Sequence, residues 1–355
     1  MTLIRFVKDW TLPVAMFMGT AVYLIFANVP QLDGAATFFG PVFDAILPSF
    51  MFLILFVTFC KVDFRKMRPV AWHLWVGVAQ VLMTALLMVV LMSNEQLAMN
   101  NEQLVINNYD YIQAQPLTSD GNHHYSLLIT QYSFKVLLEA LLMCVIAPCA
   151  VASAVVTQKL GGSLEQMTTY NFISNFITAA LVPVCFPLIE KSADITFLSA
   201  FAKILHEVAL VLLVPMLLAY IVKHHLHRLH RRIVGVRDLS YYLWACSLMI
   251  VTGVTVRNIA HASASAWLLA AIALLGLVVC VVQFAVGRFV GHYFNHAQEA
   301  GQGLGQKNTA FAIWLSSAYL TPLSSVGPGC YILWQNIINS VEIWQQRRQK
   351  TDPEI

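Results

Sequence analysis

The sequence predicts an all-α, polytopic membrane protein with ten transmembrane helices in two inverted five-helix repeats. Three observations carry that expectation. Hydrophobic residues make up 58% of the 355 positions and charged residues only 11%, against about a quarter charged in soluble domains. Apolar runs of about 20 residues, the length needed to cross a hydrocarbon core about 30 Å thick, recur along the chain, and the short alternating segments of a barrel do not. Lys and Arg gather in alternate connections, as the positive-inside rule requires of cytoplasmic loops.

The first two spans are read at Trp10 to Ala27 and Pro41 to Cys60. The link between them lacks Lys and Arg, whereas Lys61, Arg65, Lys66 and Arg68 follow the second, which puts the amino terminus and that basic loop in the cytoplasm. Span three runs from Val70 to Met92 and contains Gln80. Ser93 to Tyr132, rich in Asn and Gln, reads as an outer loop or small cap inserted in the first repeat. Span four, Phe134 to Thr157, has Pro148 near its middle, and proline both removes a donor and clashes with the preceding turn, so this helix is expected to break. Span five, Thr168 to Leu188, is closed by Pro183 and Pro187.

The second repeat, residues 191–355, follows the first, residues 1–190. Its first span is Ile195 to Val222, where Lys203, His206 and Glu207 form either a proton relay or local helix pairs. The basic link behind it carries His224, His225, His227 and His230 among five Lys and Arg residues. A metal site is one reading, and a segment lying on anionic headgroups is the favoured one. Spans at Leu239 to Val256 and Ala266 to Val290 lead to the ninth, GQGLGQKNTAFAIW, with Gly301, Gly303 and Gly305 just ahead of Lys307 and Asn308. Glycine is a poor helix former and freed backbone groups at membrane depth need protein or water, so a second break is expected here. Lysine at that depth is costly and marks a functional site unless it snorkels to an interface. A tenth span, Val326 to Trp344, ends in a basic tail, so both termini fall in the cytoplasm of an inner or plasma membrane. Only Lys135, Lys191, Lys203 and Arg257 fall on the outer side.

The breaks occupy the fourth position of each five-span half, and halves with an odd number of spans must point in opposite directions. Interrupted helices at matching positions of inverted halves mark a transporter's binding site near the midplane, with helix amino termini favouring anions and exposed carbonyls favouring cations. The seven cysteines lie in or beside apolar runs without metal-type spacing. Glu139 has no acidic companion in the membrane, and HExxH and GxSxG are absent, so an enzyme is not expected.

The residues around both breaks resemble the bile acid:sodium symporter family. Its fourth-helix PGG-T-A-S-N motif is matched by Pro148 to Ala154, its ninth-helix G-M-Q-N-S-G-L-A run by Gly305 to Ala312, its W-H-N run by Trp334, Gln335 and Asn336, and its third-helix A-Q by Ala79 and Gln80. The resemblance implies panel and core domains interleaved across both repeats and sodium-coupled uptake of organic anions. It also implies sodium ligands, several of which are changed here. Ser153 and Gln80 are retained, but the motif asparagine is Ala154, fifth-helix hydroxyl positions are Met167 and Asn171, the ninth-helix glutamate is Gly303, and a glutamine is Lys307. Sodium needs hard oxygen ligands, and two like unit charges about 4 Å apart repel by about 4 kcal/mol at an effective dielectric of 20.

Lys307 is therefore expected to stand in for one sodium ion. The expected function is secondary transport of a small organic anion by alternating access, sodium-independent, or proton-coupled if the lysine exchanges its proton. Lys307, Asn308, Ser153, Gln80 and Asn171 line the site, and Pro148, Gly301, Gly303 and Gly305 permit the breaks. For Ser153 and Asn171 ordinary interhelical hydrogen bonding is an equal reading, and Asn336 is expected to pack between helices. A membrane sensor or regulatory subunit that has lost coupling is the alternative. Expected partners are the anion and membrane lipid, with no nucleic acid, no metal site and no cofactor beyond a coupling Na+ or H+.

Overall fold

The computed structural model describes residues 10–29, 49–107, 120–189, 197–236, 238–262 and 264–351, together with Gln31 and Ile46. Among these the chain is helical throughout, and its one β-type contact is an isolated bridge between Cys149 and Lys307. The helices are α1 (Thr11–Asn28), α2 (Ser49–Lys61), α3 (Ala71–Asn107), α4 (Asp120–Ile146), α5 (Ser153–Lys159), α6 (Leu164–Ile189), α7 (Phe197–His225), α8 (His227–Gly235), α9 (Leu239–Ala260), α10 (Ala266–His292), α11 (Ala297–Gly305), α12 (Thr309–Tyr319) and α13 (Val326–Thr351).

Among the described residues, five stretches are long and apolar enough to cross a membrane: α1, the Ala71–Asn94 part of α3, α6, α9 and α10. Large apolar side chains are exposed along them, including Phe17, Leu74, Leu82, Leu86, Leu274 and Trp267. A helix apolar on every side suits a lipid solvent. The other expected spans do not reach that length in one described apolar helix for identifiable reasons. Two are cut by interruptions into α4 with α5 and α11 with α12, the second and sixth lie partly outside the described residues, and α13 ends in a polar tail.

Close packing at glycine sets two of the helix pairs. A Cβ at Gly19 of α1 would fall 2.0 Å from the Met249 carbonyl oxygen of α9, and one at Gly287 of α10 would fall 2.4 Å from the Ala300 carbonyl oxygen of α11. Backbones in lipid approach this closely only over small residues. The α10–α11 hairpin thereby fixes the start of the second interrupted helix.

Three sequence expectations are corrected. Ser93 to Tyr132 is not simply a loop, because α3 continues to Asn107 and α4 begins at Asp120. The run NEQLAMNNEQLVIN is rich in good helix formers and free of Gly and Pro, so the helix outlasts the apolar stretch. Pro183 and Pro187 do not end the fifth span, since α6 runs through both to Ile189. Gly301 and Gly303 do not lie at the second interruption; they are inside α11, which ends at Gly305. Their missing side chains serve packing instead, with Arg288 against Gly301 and Tyr170 and Trp72 against Gly303. The link 190–196 lies outside the described residues, as do the side chains of Lys203 and Glu207.

Candidate functional site

The chain leaves α4 after Ile146 and re-enters a helix at Ser153; it leaves α11 after Gly305 and re-enters at Thr309. The two interruptions cross in antiparallel fashion. The Ala150 N–H donates to the Gln306 carbonyl at 2.8 Å, and the Asn308 N–H donates to the Pro148 carbonyl, also at 2.8 Å. Each break thus satisfies part of the other's freed backbone, which the absence of water at membrane depth demands.

Side chains from neighbouring helices satisfy further groups. At the end of α4, Gln283 of α10 donates to the Cys144 carbonyl at 3.2 Å. Gln80 of α3 donates to the Ile146 and Ala147 carbonyls at 3.2 Å each, and Thr178 of α6 to that of Ile146 at 2.8 Å. The Cys149 N–H donates to the Ser174 hydroxyl at 2.8 Å. At the other break, Tyr331 of α13 donates to the Gly305 carbonyl at 2.7 Å. Gln335 of α13 receives the Lys307 N–H at 2.8 Å and donates to the Lys307 carbonyl at 3.2 Å. Asn308 caps α12 by accepting from the Phe311 N–H at 3.2 Å.

Lys307 is 1% exposed, with no carboxylate among its hydrogen-bond partners. Its Nζ donates to the Val145 carbonyl at 3.0 Å and the Ala147 carbonyl at 3.1 Å. These oxygens lie at the carboxyl end of α4, where unsatisfied carbonyls and the helix dipole favour a cation. The ammonium is therefore held by two main-chain carbonyl oxygens.

The expected site residues divide into groups. Lys307, Gln80 and Pro148 meet at the crossing itself, where Lys307 and Gln80 both donate to the Ala147 carbonyl. Ser153 sits one turn on, donating to the Ala150 carbonyl at 2.6 Å, and Asn171 Oδ1 lies 3.4 Å from the Ser153 hydroxyl. Asn308, Lys307 and Gln306 line a cavity of about 80 Å³ beside the crossing. Its other walls come from Ala150 to Ala152, from Met51 and Ile54 of α2, from Trp244, Ser247 and Val251 of α9, and from Ile332, Gln335 and Asn336 of α13. The amino end of α12 opens on this cavity, and a helix amino terminus favours an anion.

Several contributors escape a sequence reading. Gln335, Tyr331 and Gln283 answer backbone groups whose exposure depends on where the breaks fall; the W-Q-N run was the one available signal for Gln335. Asn336, expected to pack between helices, does donate to its own helix at Ile332, but it also lines the cavity. The side-chain oxygen of Asn336 and both polar atoms of the buried Gln306 amide make no hydrogen bond among the described residues. Glu139 proves structural: it accepts from the Thr321 N–H at 3.2 Å and lies 3.8 Å from Lys135. Among the described residues no group of three or more His, Cys, Asp or Glu could hold a metal ion.

The model of the Sodium Bile acid symporter family matches residues 124–290. The matched residues, a little under half of the chain, are similar to that family. The matched stretch takes in most of α4, the first interruption and the helices through most of α10, so it includes the Val145 and Ala147 carbonyls and stops before Lys307. No curated protein is significantly similar to the chain. The position that the family resemblance assigns to a glutamate, Gly303, faces aromatic rings: a Cβ there would lie 3.0 Å from Tyr170 Cδ1 and Cε1 and 3.4 Å from Trp72 Cζ3.

Proposed function

We propose that this protein is a secondary active transporter of a small organic anion, in which the Lys307 ammonium takes the place of a coupling sodium ion. The observation that carries the proposal is the pair of α4 carbonyls, Val145 and Ala147, closed on Lys307 Nζ. A cation that is part of the chain cannot be released with each cycle, so while protonated it contributes positive charge to an anion site and leaves no room for a metal at those oxygens. The second family sodium position is weakened as well. Gly303 supplies no carboxylate, Ala154 no amide, and Tyr170 and Trp72 fill the space beside Gly303.

The rest of the reading follows the resemblance. Ten helices in two inverted repeats, residues 1–190 and 191–355, would bring the fourth and ninth together at the midplane. The cavity beside the crossing, with the α12 amino end, Asn308 and the Lys307 charge nearby, suits a small carboxylate or sulfonate. Ser153 and Asn171 support the α5 side of the crossing. Both termini would be cytoplasmic. Transport is sodium-independent, or proton-coupled if Lys307 exchanges its proton during the cycle.

The experiment is uptake and counterflow in vesicles with choline replacing Na+, preceded by a thermal-shift screen of organic anions with and without Na+. Net flux of a stabilising anion in choline is expected. A strict requirement for Na+ would refute the substitution, and binding without flux or counterflow would make the protein a sensor.

A further inference from the structure

The short helix α8 is not accounted for by the crossing. It follows α7 after one residue and carries His227, Arg228, Arg231 and Arg232 on one side, with Leu229, Ile233 and Val234 on the other. At about 100° per residue the polar set spans an arc of about 140° and the apolar set the arc opposite. Arg228, Arg231 and Arg232 are exposed, and so are Leu226 (50%), Leu229 (44%) and Val236 (50%). Exposed cations beside exposed aliphatics on one short helix fit the boundary between headgroups and acyl chains better than they fit water.

This helix is fastened to a second basic segment distant in sequence. His230 Nε2 lies 2.9 Å from the Cys60 carbonyl, Lys223 Nζ donates to the Val62 carbonyl at 3.0 Å, and Lys61 Nζ donates to the Val236 carbonyl at 3.2 Å. Phe64, in the turn after α2, lies 6.5 Å from the Tyr220 ring and beneath Lys223 Nζ at 5.6 Å. Arg65, Lys66 and Arg68 of that segment are exposed. Two basic segments thus form one surface, and the nearby acids are engaged elsewhere: Asp63 accepts from the Arg65 N–H, and Asp238 pairs with Lys159. Cys60 and Val62 close α2, the helix that supplies Met51 and Ile54 to the cavity wall.

We propose that α8 and the Phe64–Lys66 turn form a binding surface for anionic phospholipid headgroups, and that the bound lipid steadies α2 through the His230 and Lys223 contacts. The charge pattern selects an anion and the exposed aliphatics select one that belongs to a membrane. Each Lys or Arg near an anionic surface is worth about fivefold in binding, so three together are worth roughly a hundredfold.

The full-length chain in phosphatidylcholine, with or without phosphatidylglycerol, provides the test, read as lipid retained in native mass spectrometry and as the thermal unfolding midpoint. Phosphatidylglycerol is expected to be retained and to raise the midpoint. R228Q/R231Q/R232Q should lose most of that retention, the corresponding triple Lys variant should keep it, and R347Q/R348Q, which removes charge from α13, should lose far less. His230→Ala should retain the lipid but lose part of the midpoint rise. Equal retention by the triple Gln variant and the unaltered chain would overturn the site. So would equal losses in the α8 and α13 variants, or equal stabilisation by soluble polyphosphate without anionic lipid. A midpoint rise unchanged in His230→Ala would overturn the link to α2.

Discussion

The two interruptions answer the same problem in opposite ways. At the first, between α4 and α5, carbonyls accumulate: those of Cys144, Val145, Ile146 and Ala147 all receive donors from other segments. At the second, between α11 and α12, three residues suffice, Gln335 takes both backbone groups of Lys307, and the side chain of Lys307 is free to serve the first break. One break is an acceptor cage and the other supplies its cation. Carriers in which both breaks only accept must recruit a cation from solution; on the proposed function the Lys307 ammonium takes that part.

The largest effect should come from breaking this complementarity. Lys307→Met removes the donor from the Val145 carbonyl and one of two from that of Ala147. An unsatisfied buried acceptor costs about 1–3 kcal/mol, and a loss near 3 kcal/mol corresponds to roughly 150-fold, so sodium-free uptake should fall by about that factor. Lys307→Gln separates the charge from the polarity, because it returns the neutral side chain that the family resemblance expects and vacates the charge. Its unfolding midpoint should rise with added NaCl but not with choline chloride, whereas the unaltered protein should not distinguish the two salts. Uptake by Lys307→Met at the original rate without Na+ would show that the ammonium is structural only.

Gly303→Glu restores the carboxylate on the other half of the comparison and should fail alone. The new Cβ meets Tyr170 at 3.0 Å inside a packed helix pair, and overpacking of this kind costs about 1–3 kcal/mol. Combined with Tyr170→Ala and Lys307→Gln it should recover part of that loss in NaCl and not in choline chloride. Absence of any sodium response in the triple variant would mean that the missing carboxylate is not what separates this chain from sodium carriers.

How far the sequence exposes this arrangement depends on the kind of residue involved. Pro148 removes a backbone donor, and its position marks the first break to within a turn, although α6 runs on through Pro183 and Pro187. Lys307 is legible because charge at membrane depth needs a reason. The glycines mislead: Gly301 and Gly303 look like helix breakers, yet inside protein they let Arg288, Tyr170 and Trp72 approach, and the helix closes normally up to Gly305. Composition alone cannot separate those two uses, since both follow from a missing Cβ. The α3 extension through Asn107 was hidden for the opposite reason, polar residues of good helical propensity being indistinguishable from loop when only hydropathy is followed. Donors such as Gln283 and Tyr331 stay invisible because their partners are backbone atoms, and nothing in a sequence says which backbone atoms are free.

Gln335→Leu is expected to act less on transport than on stability. It strips the partner from the N–H of Lys307, at about 1–3 kcal/mol for the buried group left unsatisfied, while the Lys307 carbonyl keeps the Thr309 N–H at 3.0 Å. The unfolding midpoint should drop by several degrees. Gln335→Glu keeps the acceptor but loses the donor, so its drop should be smaller. Equal midpoints for both variants and the parent would mean that the second break is held by the α4–α5 segment alone.

The smallest effect concerns how the crossing is tied to its surroundings. Lys159, at the end of α5, pairs with Asp238 just before α9 and lies over the Tyr241 ring at 5.0 Å. The lysine and aspartate side chains are 21% and 34% exposed, so solvent screens the pair and it contributes about 0–1 kcal/mol. If α5 moves relative to α9 during transport, Lys159→Gln should shift the balance of conformers by no more than about fivefold. It should change uptake accordingly and leave Lys307 in its cage. Asp238→Asn should have a similar effect, and the double variant should do little more than either alone, because contacting residues are not additive. Strictly additive effects would show that α5 and α9 are held together elsewhere, by the apolar packing of Val155 and Leu160 with Tyr241 and Trp244, and that the ion pair is only a surface contact.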